Sequence, residues 1–101
     1  MNANTRLANL VQKDDQDWKP ADNDTHAIEL LAYLTEPTSR LGVQVKRTYK
    51  DVWGKGDIGW ETMLFHRDNL QTITKWATTL CKSASLAALV LSQRKVDHEA
   101  V

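Results

Sequence analysis

The clearest pattern of hydrophobic and polar positions lies in residues 41 to 53, where apolar and polar side chains alternate. A period of two is typical of a strand with one buried and one solvated face. A second strand is predicted over residues 58 to 66, which are apolar on both faces. The two runs predict an antiparallel hairpin whose four-residue loop is residues 54 to 57. In this register Lys50 lies opposite Glu61, a favourable pair of opposite charges.

Helical patterns flank the hairpin. The first helix begins at Asp24 or Thr25, has apolar residues on most sides, and ends before Pro37. After the hairpin, neither Gly nor Pro interrupts residues 67 to 96, and apolar residues recur there at spacings of three and four. This seam predicts one long helix, or two that break near residues 83 to 85, and the seam is either core packing or a homodimer contact. The seam consists of Leu70, Ile73, Ala77, Leu80, Ala84, Ala87 and Leu91.

The N-terminal residues carry a weaker pattern. A short helix is predicted over residues 4 to 12, and five aspartates follow it around Trp18. Dense acidic charge is typical of an exposed connector, and the alternative, an acidic docking segment, depends on Trp18. The sequence therefore predicts a loosely ordered acidic segment over residues 1 to 24, an α+β domain over residues 25 to 96, and a frayed tail over residues 97 to 101.

These elements predict a small single domain of the α+β class, in the order helix, antiparallel β-hairpin, long or broken C-terminal helix. A length of 101 residues suits one such domain. Hydrophobic residues make up 42% of the chain and charged residues 26%, as in soluble globular proteins. No apolar run approaches the roughly 20 residues that cross a bilayer, and the N-terminus lacks the apolar core of a signal peptide. We therefore expect a cytoplasmic protein.

No group of residues in the sequence has the spacing of an active site. The glycines of residues 54 to 57 lack the spacing of a phosphate-binding loop, and they lead into a strand rather than a helix. Cys81 is the single cysteine, and it lies beside the apolar seam, where a buried and inert thiol is expected. His26, His66 and His98 lack the spacing of metal ligands. We predict a protein that is not an enzyme and holds neither a metal nor a cofactor.

Charge and aromatic content point to a protein partner. Lys plus Arg and Asp plus Glu number 13 each, so the net charge is zero and lends no support to nucleic-acid binding. Four tryptophans are many for this length, and tryptophan often anchors protein interfaces. We expect a non-enzymatic regulatory protein that docks onto a partner protein, as an adaptor, inhibitor or immunity-type factor of phage or mobile-element type. The predicted partner-binding residues are Trp53, Lys55, Trp60, Met63 and Phe65, with Lys46 and Lys50 at the rim.

A single-stranded nucleic-acid-binding module is the alternative. Lys46 and Lys50 share one strand face with Met63 and Phe65, which supplies cations for phosphates and an aromatic ring for base stacking. With this face, the strand–strand–helix order of about residues 41 to 82 resembles the single-stranded-DNA-binding transcriptional coactivators, and that resemblance implies binding of single-stranded DNA. The ordinary explanation is that lysines on the solvated face of an edge strand discourage aggregation.

Overall fold

The computed structural model describes residues 2–14, 16–52, 54–68 and 71–99, and it has the α+β class that the sequence predicts. Three α-helices and three β-strands follow one another along the described chain, with one short 3-10 turn between the second helix and the first strand. Their bounds are α1 Ala3–Leu10, α2 Asp24–Leu34, the 3-10 turn Pro37–Ser39, β1 Leu41–Val52, β2 Lys55–His66, β3 Thr72–Ala77 and α3 Leu80–Glu99.

The elements form three layers. The strands make one antiparallel sheet in the order β1-β2-β3. Helix α3 packs on one face of this sheet, and α1 and α2 pack on α3. Because α3 lies between two layers, it must be apolar on two sides, and this explains why apolar residues cover so much of its surface.

Small residues of α3 allow this close packing. Ala84, Ala87 and Ala88 have no exposed surface and lie in one core with residues of α1, α2 and the sheet. A hydrogen bond connects α3 to the sheet: the Ser83 hydroxyl donates to the Lys75 carbonyl of β3 at 3.0 Å. With that proton used, the buried Thr62 hydroxyl of β2 donates to Ser83 Oγ at 2.7 Å. Both hydroxyls are therefore satisfied in the dry core.

The prediction of a helix from residue 67 onward was wrong, because residues 72 to 77 form β3. Ile73 and Ala77 of the predicted seam lie in this strand, and Leu70 lies outside the described residues. Helix α3 begins only at Leu80, where the Thr79 hydroxyl accepts a hydrogen bond from the Lys82 N–H at 3.3 Å, as an N-cap does.

The rest of the seam packs inside the chain. Ala84 and Ala87 are fully buried in the core, and Leu91 is half-buried against it. Ile73 is buried on the face of the sheet that meets α3. The predicted seam is therefore not a continuous helical stripe, and its buried members cannot meet a second copy of the chain.

The predicted hairpin exists, but its register differs. Val52 pairs with Lys55, so residues 55 to 57 belong to β2 rather than to the predicted loop of residues 54 to 57. Gly54 supplies the turn conformation with φ of +77°. Glu61 lies opposite Lys46 rather than opposite Lys50. The β1 residue opposite each β2 residue is four positions away from the predicted one. Because four is an even number, each side chain stays on the face that the alternation predicts.

The N-terminal residues belong to the core, in contrast to the loosely ordered connector that the sequence predicts. Leu7 of α1 is fully buried, and Trp18 is only 3% exposed. The Ser85 hydroxyl of α3 donates to the Pro20 carbonyl at 3.0 Å, and the Ala21 N–H donates to the Asn4 side chain at 2.9 Å. Because Trp18 is buried, it is not exposed to anchor an acidic docking segment.

Helix α1 ends in a Schellman motif without its usual glycine. Gln12 has φ of +58°, and the Lys13 N–H donates to the Ala8 carbonyl at 2.9 Å. We expect Gln12→Gly to raise the free energy of unfolding by up to about 1 kcal/mol, because glycine adopts this left-handed conformation without steric cost. Urea denaturation measures the change. Thr5→Gly inside α1 is the control and should destabilise; a loss of stability in Gln12→Gly would contradict the interpretation.

Candidate docking surface

One face of the sheet has no helix packed on it among the described residues. Helix α3 occupies the opposite face, and α1 and α2 lie beyond α3. We call the first face the uncovered face. It carries the even-numbered residues of β1 and β3 and the odd-numbered residues of β2. Its described side chains include Gln44, Lys46, Thr48, Lys50, Asp57, Glu61, Met63, Phe65, Thr72, Thr74 and Trp76.

Two aromatic rings of the uncovered face lie over glycines of neighbouring strands. A Cβ atom built on Gly42 would come within 2.3 Å of the Phe65 ring, and one built on Gly59 within 2.5 Å of the Trp76 ring. Each ring therefore occupies space that a side chain would need. This leaves both rings half-buried without any covering helix. Met63 lies next to Phe65 on the same face of β2, and we call these two side chains the apolar platform. Trp76 shares this face but is the cross-strand neighbour of Glu61, and its ring lies over Gly59 rather than beside Met63.

The charges on the uncovered face are balanced in its described part. Lys46 Nζ lies 3.3 Å from Glu61 Oε1, and Asp57 is the cross-strand neighbour of Lys50. Lys50 Nζ also lies 5.5 Å from the centre of the Trp76 ring, within the range of a cation–π contact. Exposed pairs of this kind stabilise a fold by only about 0–1 kcal/mol. Because each lysine has an acidic neighbour, Lys46 and Lys50 do not form a patch of unbalanced positive charge.

The hairpin extends past the rest of the sheet. Strand β3 pairs only with residues 60 to 65 of β2, so residues 47 to 52 and 54 to 59 project beyond it, and we call them the hairpin arm. Tyr49 and Ile58 face each other on the arm and are 62% and 56% exposed. They lie on the side opposite the uncovered face. The arm therefore carries an apolar pair that the described part of the chain does not cover.

The predicted partner-binding residues do not form one group. Lys46, Lys50, Met63 and Phe65 share the uncovered face. Trp60 lies on the opposite side of the sheet, half-buried at the base of the arm. The centre of its ring is 5.6 Å from the guanidinium carbon of Arg47. The two remaining predictions, Trp53 and the side chain of Lys55, lie outside the described part.

Sequence reasoning missed Trp76, which the structure places beside Lys50. The signal was present in the order Thr72-Ile73-Thr74, where β-branched residues alternate between polar and apolar as in a strand. A strand over residues 72 to 77 sets Trp76 on the same face as Met63. The helical spacing of the seam obscured this signal.

The titratable groups elsewhere make structural contacts. His66 Nδ1 accepts a hydrogen bond from the Asp68 N–H at 3.2 Å, and His26 Nδ1 accepts one from the Lys19 N–H at 2.9 Å. The guanidinium of Arg40 bonds the Asp68 carboxylate and holds the pKa of that carboxyl below its usual value. Within the described ranges, no cluster of His, Cys, Asp and Glu has the arrangement of a metal site.

One open cavity of about 1010 Å³ lies where the C-terminal ends of α1 and α2 approach the sheet. It is lined in part by Leu10, Tyr33 and Ser39. The Ser39 hydroxyl lies 2.7 Å from both the Leu34 and Glu36 carbonyl oxygens, so its proton is held by the backbone. The lining therefore lacks an activated nucleophile at this serine.

No helix in the described part of the chain is both long and apolar enough to cross a membrane. No protein-family model matches this chain, and neither a curated protein nor a solved structure matches it.

Proposed function

We propose that this protein is a non-enzymatic binding protein that docks onto a partner protein through the uncovered face. The observation that carries the proposal is that three large apolar side chains, those of Met63, Phe65 and Trp76, share a sheet face without a helix. Sheets with one solvated face usually carry polar side chains there. Large apolar side chains grouped on such a face are typical of an interaction site.

The arrangement suits a protein interface in composition and in rigidity. Aromatic and methionine side chains are enriched at interface centres, and polar residues form the rim. Here the platform is bordered by Gln44, Lys46 and Glu61. Rings already held against Gly42 and Gly59 have little freedom to lose on binding, which reduces the entropic cost of association. Such a protein acts as an adaptor, an inhibitor or an immunity-type factor.

Single-stranded nucleic acid is the second candidate, because Lys46 and Lys50 lie on the same face as the Phe65 and Trp76 rings. The charge balance argues against it. Grooves that bind single strands need an excess of cations to neutralise phosphates, whereas Lys46 is paired with Glu61 and Lys50 neighbours Asp57. A protein partner is therefore favoured.

The two candidates are separated by affinity capture from the native cell, with protein and nucleic acid scored separately. We expect a protein to be retained, and we expect no binding of single-stranded oligonucleotides at low salt. The control is the Lys46→Ala/Lys50→Ala variant, which should keep most of the protein binding because rim charges contribute little. Oligonucleotide binding that falls steeply with salt and is lost in this variant would support the alternative and reject the proposal.

A further inference from the structure

The outer edge of β1 is available for a further strand. The Arg67 N–H donates to the Arg40 carbonyl at 3.0 Å, in the same register that pairs the two strands. The backbone groups of even-numbered β1 residues therefore point to β2, and those of odd-numbered residues point outward. The Leu41 N–H, an outward group, is taken by Ser39 Oγ at 3.3 Å. In the described part of the chain, no hydrogen bond is recorded for the outward backbone groups of Val43, Val45, Arg47, Tyr49 and Asp51.

β1 lacks most of the structural features that keep edge strands from pairing with other chains. Edge strands are usually short, bulged, covered or interrupted by proline. β1 has 12 residues, contains no proline, and keeps an unbroken register with β2 from Leu41 to Val52. The charged side chains of Lys46, Arg47 and Lys50 remain as protection. They restrict which strand can pair with this edge.

We propose that a second copy of this chain adds to the edge, with its own β1 antiparallel and Tyr49 on the two-fold axis. A symmetric pair needs a self-complementary strand. In this register the Arg47 of each copy lies opposite the Asp51 of the other copy, so two pairs of opposite charge form, one on each side of the axis. Tyr49 lies opposite its own copy, and the outward backbone groups of the two strands meet.

The charges of β1 select this register over its neighbours. A two-fold axis on Lys46, Arg47 or Lys50 would set that cation opposite the same cation of the second copy. An axis on Thr48 places Lys46 opposite the partner's Lys50. Among axes on residues 46 to 50, only the one on Tyr49 avoids opposing like charges, which destabilise a strand pair. An axis between two residues is excluded as well, because it would pair outward groups with inward groups.

The hairpin arm makes this register sterically accessible. Pairing covers residues 46 to 52, a length of about 23 Å at roughly 3.3 Å per residue. These residues lie mainly on the arm, so the helical layers of the two copies lie at opposite ends of the contact. The joined sheet has six strands, and the two uncovered faces become one continuous surface. The dimer then presents two docking platforms side by side.

Charge reversal tests the register. Asp51→Lys places a lysine opposite the partner's Arg47, and we expect the dimer to be lost. The Arg47→Asp/Asp51→Lys variant restores opposite charges, and we expect the dimer to return. Light scattering over a dilution series measures the mass. The wild-type protein should show twice the chain mass at high concentration. The proposal would be overturned if the wild-type protein were monomeric at every concentration. It would also be overturned if the double variant stayed monomeric while Asp51→Lys dimerised.

Cysteine substitution locates the axis directly. Directly opposite residues in a hydrogen-bonded pair have Cα atoms about 5.5 Å apart, a distance that suits a disulfide. Tyr49→Cys should therefore form a cross-linked dimer under mild oxidation, whereas Thr48→Cys should not. Cys81 is buried and supplies a low background. Cross-linking of Thr48→Cys in preference to Tyr49→Cys would place the axis elsewhere and reject this register. Because the contact is the β1 edge, it can fail or hold independently of docking through the uncovered face.

Discussion

Replacing Trp18 with alanine is expected to lower the free energy of unfolding by about 3–5 kcal/mol, the usual loss when a large buried ring is removed. The side chain is 3% exposed and packs edge-on against Tyr33, with ring centres 6.1 Å apart. Lys13 Nζ lies 5.4 Å from the centres of both rings. A domain of this size is stable by only about 5–15 kcal/mol, so this loss takes a large share. Urea denaturation followed by far-ultraviolet circular dichroism measures it.

Trp18→Phe is the matched control. It keeps an aromatic ring and removes the indole N–H, which is buried and has no hydrogen-bond partner in the described part of the chain. We expect this variant to lose much less stability than Trp18→Ala. If the alanine variant loses less than about 1 kcal/mol, the N-terminal residues do not contribute to the core as their burial implies.

The α+β class could be predicted because it follows from local patterns of apolar and polar residues. Alternation over residues 41 to 53 predicts β1, and the apolar run before Pro37 predicts α2. The register was not predictable in the same way, because Gly54 and Gly56 both suit a turn. Packing separates them: the Tyr49 side chain occupies the space that a Cβ on Gly56 would need, whereas Gly54 has the positive φ.

The third strand shows a limit of periodicity. Residues 70 to 91 carry apolar side chains at helical spacing, yet the spacing runs through a strand, a turn and a helix. Ile73, Ala84 and Ala87 of this pattern are buried because β3 and α3 both line one core. The low helix propensity of Thr72 and Thr74 was the contrary signal, and tertiary packing of the strand against β2 decides the outcome.

The N-terminal residues show how composition can mislead. Five aspartates predict an exposed connector, and several of them are indeed exposed. Trp18 between them is buried, because it reaches the Tyr33 side chain of α2. Local charge thus describes the surface of this segment, whereas a contact distant in sequence determines its position.

Part of the candidate docking surface was predictable. Lys46, Lys50, Met63 and Phe65 fall on one face from alternation alone, and an even shift in register preserves that relation. The sequence could not determine whether a helix covers this face, since that depends on which side α3 packs. It also could not place Trp76 there without β3.

Replacing Met63 with lysine is expected to weaken partner binding at least about 30-fold, which corresponds to roughly 2 kcal/mol for a central interface residue. Met63 lies beside Phe65 on the uncovered face, which also carries the Trp76 ring. A lysine there puts an unpaired charge at the centre of the contact, where desolvating it is costly. The fold should survive because the position is half-buried and faces solvent in the free protein.

The most direct test of docking through the uncovered face compares Met63→Lys with Ile28→Lys in affinity for the captured partner. Ile28 lies on α2 and is 57% exposed, so its replacement adds the same charge away from the uncovered face. We predict that Met63→Lys loses binding, that Ile28→Lys binds like the wild type, and that both variants keep nearly the wild-type melting temperature. Full binding by Met63→Lys, or loss of binding only in Ile28→Lys, would contradict docking through this face.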